Sequence, residues 1–275
     1  MVQLLKNRSI LSVTGNDSVM FLQNITTNDL INNIYSYNYL LSSQGRYLYD
    51  FFVLKFLNNQ LFIDIDSGAS SSFLTKLNLY KLRKEIEIKD VTDGYSILYS
   101  KEKLEISDLV LSSNRDPRFF KLGFRSLVKS EYINKSMLED DDLYIKDKYE
   151  YTIPDGVTDL VFDKSLVSQF GVEELSAVSF SKGCYVGQEV ISRFKYQASV
   201  RKKLFKLSSG KEISYADLGS ELLDLKGNKI GIFCSSCNDI GIALLMCEKY
   251  LGLDKKIAII NGVQEALISK PDWRD

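Results

Sequence analysis

The densest run of reactive and recognition groups in the chain is SKGCYVGQEVISR, residues 181–193, which sets a thiol, a phenol, an amide, a carboxylate and two cations close together. Gly183 and Gly187 bracket Cys184, Tyr185 and Val186, and glycine permits backbone conformations and close approaches that other residues resist. The spacing predicts a turn presenting Cys184 and Tyr185, then an extended or helical run from Gln188 through Arg193. From spacing alone, a glycine-bounded turn with an incidental thiol and a functional cysteine loop are equally good readings.

The rest of the composition limits what such a thiol can do. The chain has no histidine. Ser-His-Asp and Cys-His catalysis, histidine-containing zinc sites and imidazole acid–base chemistry are therefore excluded, leaving carboxylate, thiol, tyrosine, lysine or a bound cofactor. The other cysteines are Cys234, Cys237 and Cys247. Cys234 and Cys237 have a CxxC spacing, but without a second pair or a thioredoxin-like strand–helix context they read as structural thiols. No metal site is expected.

Among the carboxylates, Asp50 lies inside an aromatic strand, where an ionised group is costly unless it has partners or binds something. Asp64 and Asp66 fall on one face of the next strand because side chains alternate, and an exposed acidic face is the expectation for that pair.

The elements that must position these groups follow from periodicity. At 275 residues the chain exceeds the usual single-core size, so two or more lobes are expected. Residues 18–25 carry a helical spacing of Val19, Phe21, Leu22 and Ile25 after the turn Gly15, Asn16 and Asp17. Residues 37–41, 47–56 and 61–65 read as strands, and a helix begins near Ser67 with Phe73, Leu77 and Tyr80 on one face. Residues 114–118 read as a polar loop between strands. Helices are expected over 127–138, 140–149 and 172–178. From Val200 onward the texture changes to short strands near 200–207, 221–225, 229–234, 240–247, 256–260 and 263–269, with a hairpin turn at Lys226, Gly227 and Asn228. That spacing predicts a small antiparallel β-barrel. The division is placed at residues 1–197 and 198–275.

The charge is nearly balanced, 35 basic against 36 acidic residues, which disfavours nonspecific binding of nucleic acid, tRNA included. There is no run of about 18 apolar residues and no signal-type core, so no membrane partner is expected and the predicted location is cytoplasmic. A monomer is expected.

KGCYVGQE, residues 182–189, resembles the signature of the YgfZ family of folate-binding proteins, relatives of the glycine-cleavage T-protein that support iron–sulfur proteins and some tRNA modification. Residues 11–29 resemble the family's first helix region, with Phe21, Leu22, Gln23 and Asp29 in place. SQGRYLYDF, residues 43–51, resembles its glycine-containing hairpin. Asp116, Pro117, Arg118, Gly123 and Arg125 match DPR followed by GxR, and IPDGVTDL resembles the run leading to the signature. The resemblance thus covers nearly the whole chain.

It implies an α+β, T-protein-like fold of two interlocked lobes around a folate-sized hole, plus the C-terminal barrel. It implies tetrahydrofolate as ligand, with Asp50 facing the folate nitrogens, Asp66 near a ligand contact, and Gln169 standing where related enzymes carry a pterin-binding glutamate. Lys182, Gln188, Glu189 and Arg193 complete the signature and are implied folate-binding residues with Asp50, Asp66 and Gln169, and neighbouring cations would favour the Cys184 thiolate. Cys184 stands where aminomethyltransferases usually have aspartate. The function so implied is that of an accessory protein for assembly or repair of iron–sulfur proteins, with Cys184 and Asp50 as its reactive groups and iron–sulfur client or assembly proteins as partners. The alternative is a folate-dependent aminomethyltransferase. A lone cysteine does not hold a cluster that takes four thiolates, so no stable cluster is expected in a monomer.

Overall fold

Strand periodicity explains the centre of the molecule. In YLYDFFVLK and LFIDID nearly every residue is buried, because Phe51, Val53, Ile63 and Ile65 face one packed layer while Phe52, Leu54 and Phe62 face another. The structure, a computed structural model, describes residues 1–56, 59–134, 142–197, 199–213 and 216–274.

In chain order the first half contributes β1 (Val2–Leu4), β2 (Arg8–Thr14), α1 (Ser18–Gln23), β3 (Tyr35–Leu41), β4 (Tyr47–Lys55), β5 (Leu61–Asp66), α2 (Ser67–Lys81), β6 (Glu87–Asp90), β7 (Tyr95–Ser100), β8 (Val110–Arg115) and β9 (Phe124–Lys129). The second half contributes α3 (Leu143–Glu150), α4 (Gly156–Asp159), α5 (Gln188–Tyr196), β10 (Lys202–Ser208), β11 (Glu221–Leu223), β12 (Lys229–Cys237), β13 (Ile240–Met246), α6 (Cys247–Leu251), β14 (Ile257–Ile260) and β15 (Gln264–Ser269).

An antiparallel sheet runs β3-β4-β5-β2-β6, and α1 and α2 cover one face of it through Phe21, Leu22, Phe73 and Leu77. A second sheet, β1-β7-β9-β8, packs Ile97, Tyr99 and Leu127 against Ile10, Leu54 and Phe62 of the first. The chain from β10 onward closes into the expected barrel, ordered β10-β13-β12-β11-β14-β15. Side chains alternate along β10 and β13, and a bulge between Phe233 and Ser235 shifts the register of β12. Phe205, Leu207, Phe233 and Leu245 fill the barrel, whereas Leu204, Ile242 and Leu244 point outward onto Phe170, Tyr185 and Ile191. The barrel's outer wall therefore joins the core shared with the turn at Val167–Phe170 and with α3 and α4.

Two helical expectations fail. Residues 127–129 finish β9, paired to both β7 and β8, and a short 3-10 turn at Ser130–Tyr132 follows; positions 135–138 lie outside the described residues. Residues 172–178 form turns instead of a helix, because Gly171 and Ser176 take left-handed backbone angles of +71° and +50° that break the α-helical run. The expected helix over 140–149 is α3, which begins at Leu143; residues 140 and 141 lie outside the described residues.

Candidate functional site

The cysteine loop is built by alternating anchors. Lys182 and Tyr185 are buried, while Gly183 and Cys184 between them are exposed. The Lys182 ammonium donates to three backbone carbonyls, those of Gln23 (2.7 Å), Thr26 (2.6 Å) and Asn28 (2.7 Å). Burial pulls its pKa down to about 8, with the Asp29 charge opposing the shift. Tyr185 sits in the core, and its ring lies 5.1 Å from the Lys182 nitrogen.

The C-terminal side of the loop depends on a glycine pair. Gly187 caps α5 with φ at +84°, and a Cβ there would stand 2.7 Å from the Ser42 carbonyl oxygen and 3.2 Å from Gly45 Cα. Gly45, at φ +69°, is equally crowded by Val190, at 2.8 Å. The glycine hairpin and the cysteine signature, separate in sequence, are thus packed backbone to backbone. This is the physical reason both need glycine.

The three hydrogen bonds of the Lys182 ammonium go to the backbone carbonyls of Gln23, Thr26 and Asn28 and not to the Cys184 thiol. Arg193 is exposed on α5 beside its neighbour Phe194. Glu189 is exposed in the first turn of α5, and Gln188 is half-buried at its start.

Asp50 is enclosed. Its two carboxylate oxygens accept from the hydroxyls of Tyr37 (2.9 Å) and Tyr47 (3.0 Å), and the Gly156 backbone lies directly over it. A Cβ on Gly156 would fall 1.8 Å from the carboxylate. Burial raises the Asp50 pKa and the neighbouring Asp155 charge adds to the rise, against the opposing Arg8 charge and the two tyrosine hydrogen bonds.

Asp64 and Asp66 do not form an exposed acidic face. Asp64 is buried between Arg8 (2.5 Å) and Arg125 (2.6 Å), and Asp66 accepts from the Gly68 amide at the start of α2. The stretch 114–118 is no ordinary loop either. Arg118 makes a two-pronged pair with Asp116, at 2.9 and 2.6 Å, and stacks within 5.0 Å of the Tyr37 and Phe52 rings. The Asp116 and Arg118 pair and Arg125 therefore make a buried cation–aromatic centre under Phe52.

Two separate cavities each hold one of the residues assigned to folate. One of about 450 Å³, where the two sheets meet the barrel, is lined by Arg8, Asp66, Tyr144, Lys148 and Asp155. The other, of about 550 Å³, lies between α5 and the barrel and holds Gln169. Asp50 lines neither of them.

The second cavity has a mixed polar and aromatic lining: the Gln169 amide offers a donor and an acceptor, Phe180 and Trp273 are its aromatic neighbours, and Lys203 and Arg274 stand there with Glu173 and Glu174. The buried Ser168 hydroxyl on this wall has no hydrogen-bond partner among the described residues. Lys203, Trp273 and Arg274 carried no motif; their only signal was a lone tryptophan and scattered cations near the end of the chain.

No family model matches the chain. It is similar to the human "Iron-sulfur cluster assembly factor IBA57, mitochondrial", 27% identical over 98% of this chain and 84% of that protein. Homologues so named from Dictyostelium discoideum (29% identical, 80% of this chain and 65% of that protein) and Pyricularia oryzae (28%, 73% and 55%) are also similar. The chain spans under two thirds of the length of those last two relatives. Among solved structures, the glycine cleavage system aminomethyltransferase T from Bartonella henselae superposes with a TM-score of 0.74 over 98% of this chain and 85% of that one, at 14% identity. The fold is T-protein-like, as the signature implied. The cytoplasmic location is corrected, because these relatives are all named mitochondrial. Organellar addresses reside in removable segments outside the folded body, so the chemistry of the fold carries no trace of them.

Proposed function

We propose that this chain is a mitochondrial iron–sulfur cluster assembly factor in which Cys184 offers one thiolate to a cluster whose remaining ligands come from a partner protein. The observation that carries this reading is the exposed Cys184 held between two buried anchors, Lys182 and Tyr185. A cluster takes four ligands, and no group of three or more metal-ligating side chains occurs among the described residues. A single presented thiolate is suited to shared ligation with a partner. The similarity to named assembly factors over most of the chain supports the same reading.

We further propose tetrahydrofolate as the ligand of the cavity beside α5, held by Gln169, Trp273, Lys203 and Arg274. When bound, it would supply a carrier for a one-carbon unit. Ile191 and Phe194 of α5 line the same cavity, so a ligand there bears on the helix that extends from the cysteine loop. An aminomethyl transfer would require Asp50 against the folate nitrogens. Because Asp50 does not line this cavity, no transfer step is assigned.

The test is restoration of iron–sulfur enzyme activity in cells lacking their own assembly factor. Wild-type chain is expected to restore it and Cys184→Ser, expressed to the same level, to fail. No restoration by the wild type would overturn the assignment.

A further inference from the structure

Residues 23–28 and 176–182 are distant in sequence yet joined along their length. The Ser179 amide donates to the Thr27 carbonyl (3.0 Å), the Thr27 hydroxyl to the Ala177 carbonyl (2.7 Å), and the Asn28 amide group to the Ser176 carbonyl (2.7 Å). Lys182 closes this seam where the chain turns out to Gly183. Its three acceptors are the carbonyl of Gln23, the last residue of α1, and those of Thr26 and Asn28 in the segment that follows, and such groups need partners once buried.

The match is stoichiometric. An ammonium has three donors and no acceptor, and three carbonyls converge on it. Of the titratable groups, Asp29 and Tyr185 face it: the Asp29 carboxylate is occupied by Gln23, Ile31 and Asn32, and Tyr185 presents its ring. Beyond this point the loop has no comparable tie until Tyr185, and a Cβ on Gly183 would touch nothing within 4 Å.

We infer that Lys182 is a positioning residue, fixing the Gly183 and Cys184 tip to the end of α1 through its three carbonyl bonds, and that it is neither a ligand contact nor a thiol activator. Its importance for function rests on the assignment of Cys184 above, but the clamp itself stands on these hydrogen bonds. An arginine would not replace it, because a planar fork cannot point three donors at three converging carbonyls. Methionine would keep the stem and remove every donor.

The test places a spin label on Cys184 in the full-length chain carrying Cys237→Ser and Cys247→Ser, with and without Lys182→Met or Lys182→Arg. Both variants are expected to shift the label from an immobile to a mobile lineshape. In parallel, the pH midpoint of Cys184 alkylation in unlabelled protein should match that of the parent. An unchanged lineshape in a folded variant overturns the clamp. So does a raised alkylation midpoint in Lys182→Met with label motion unaltered, since that marks charge tuning of the thiol. If Lys182→Met does not fold, Lys182→Arg decides alone, and an immobile label there overturns the inference. None of these readouts involves a cluster, so their failure is distinct from failure of the assembly role.

Discussion

Gly187→Ala perturbs the junction between the cysteine loop and the glycine hairpin, and its cost follows from the geometry. An L-residue in the left-handed region costs about 1–2 kcal/mol, and Gly187 holds φ at +84°. The added Cβ would also meet the Ser42 carbonyl oxygen at 2.7 Å and Leu41 Cβ at 3.0 Å, largely backbone or near-backbone atoms that cannot rotate away. Overpacking of this kind costs about 1–3 kcal/mol, giving a total of roughly 2–5 kcal/mol. At about 2–4 °C per kcal/mol for a chain of this size, the melting temperature should fall by roughly 4–20 °C. Gly183→Ala is the internal control. It lies in the same signature, has ordinary backbone angles and meets nothing within 4 Å, so its melting temperature should stay within about 2 °C of wild type. Differential scanning calorimetry on both variants decides the matter. Equal melting temperatures for the two would refute the packing argument.

Asp64→Asn leaves Arg8 and Arg125 short of a buried counter-charge, and removing one partner of such a pair should cost about 3–5 kcal/mol, measured by urea unfolding. Burial pushes the Asp64 pKa up, but Arg125 and Arg8 outweigh it and hold the group below its ordinary value. A depressed carboxylate adds stability that is present above its unfolded pKa, about 4, and lost as pH falls through the folded value; the variant's acid-unfolding curve should lack that component. Among the cysteines, native-state alkylation followed by mass spectrometry should modify Cys184 first and leave Cys234, which is buried with its thiol pKa raised by burial, unmodified until unfolding. Calorimetric titration with tetrahydrofolate should show affinity reduced about tenfold by Arg274→Ala, through loss of a charged contact, and unchanged by Asp50→Ala. The reverse pattern would return the ligand to Asp50.

What could be read in advance was whatever repeats locally. The barrel strands were legible because each is a short apolar run closed by a turn such as Lys226, Gly227 and Asn228, and the structure forms strands at each of the expected places. Asp50 was recognisable as unusual because a carboxylate in an aromatic strand demands partners, which proved to be Tyr37 and Tyr47. Side-chain direction across long separations was not legible. Lys182 stands two residues from Cys184, yet its hydrogen-bond acceptors lie more than 150 residues away, where proximity in sequence could not point. Asp64 looked exposed by alternation alone, and only the pairing of β2 with β5 and the crossing of β9 bring Arg8 and Arg125 onto it. The failed helix at 172–178 turned on left-handed angles at Gly171 and Ser176 that tertiary contacts impose. Residues near the C-terminus, Trp273 and Arg274, joined a cavity whose other wall is α5, a juxtaposition that no local pattern encodes.

Shared ligation of a cluster by Cys184 and a partner is open to a direct experiment, anaerobic mixing of the chain with a cluster-loaded carrier protein. With the wild type, the carrier's visible circular dichroism should change on mixing and a heterocomplex retaining iron and sulfide should form. With Cys184→Ser, neither should occur. An identical spectral change and complex with Cys184→Ser would contradict the account.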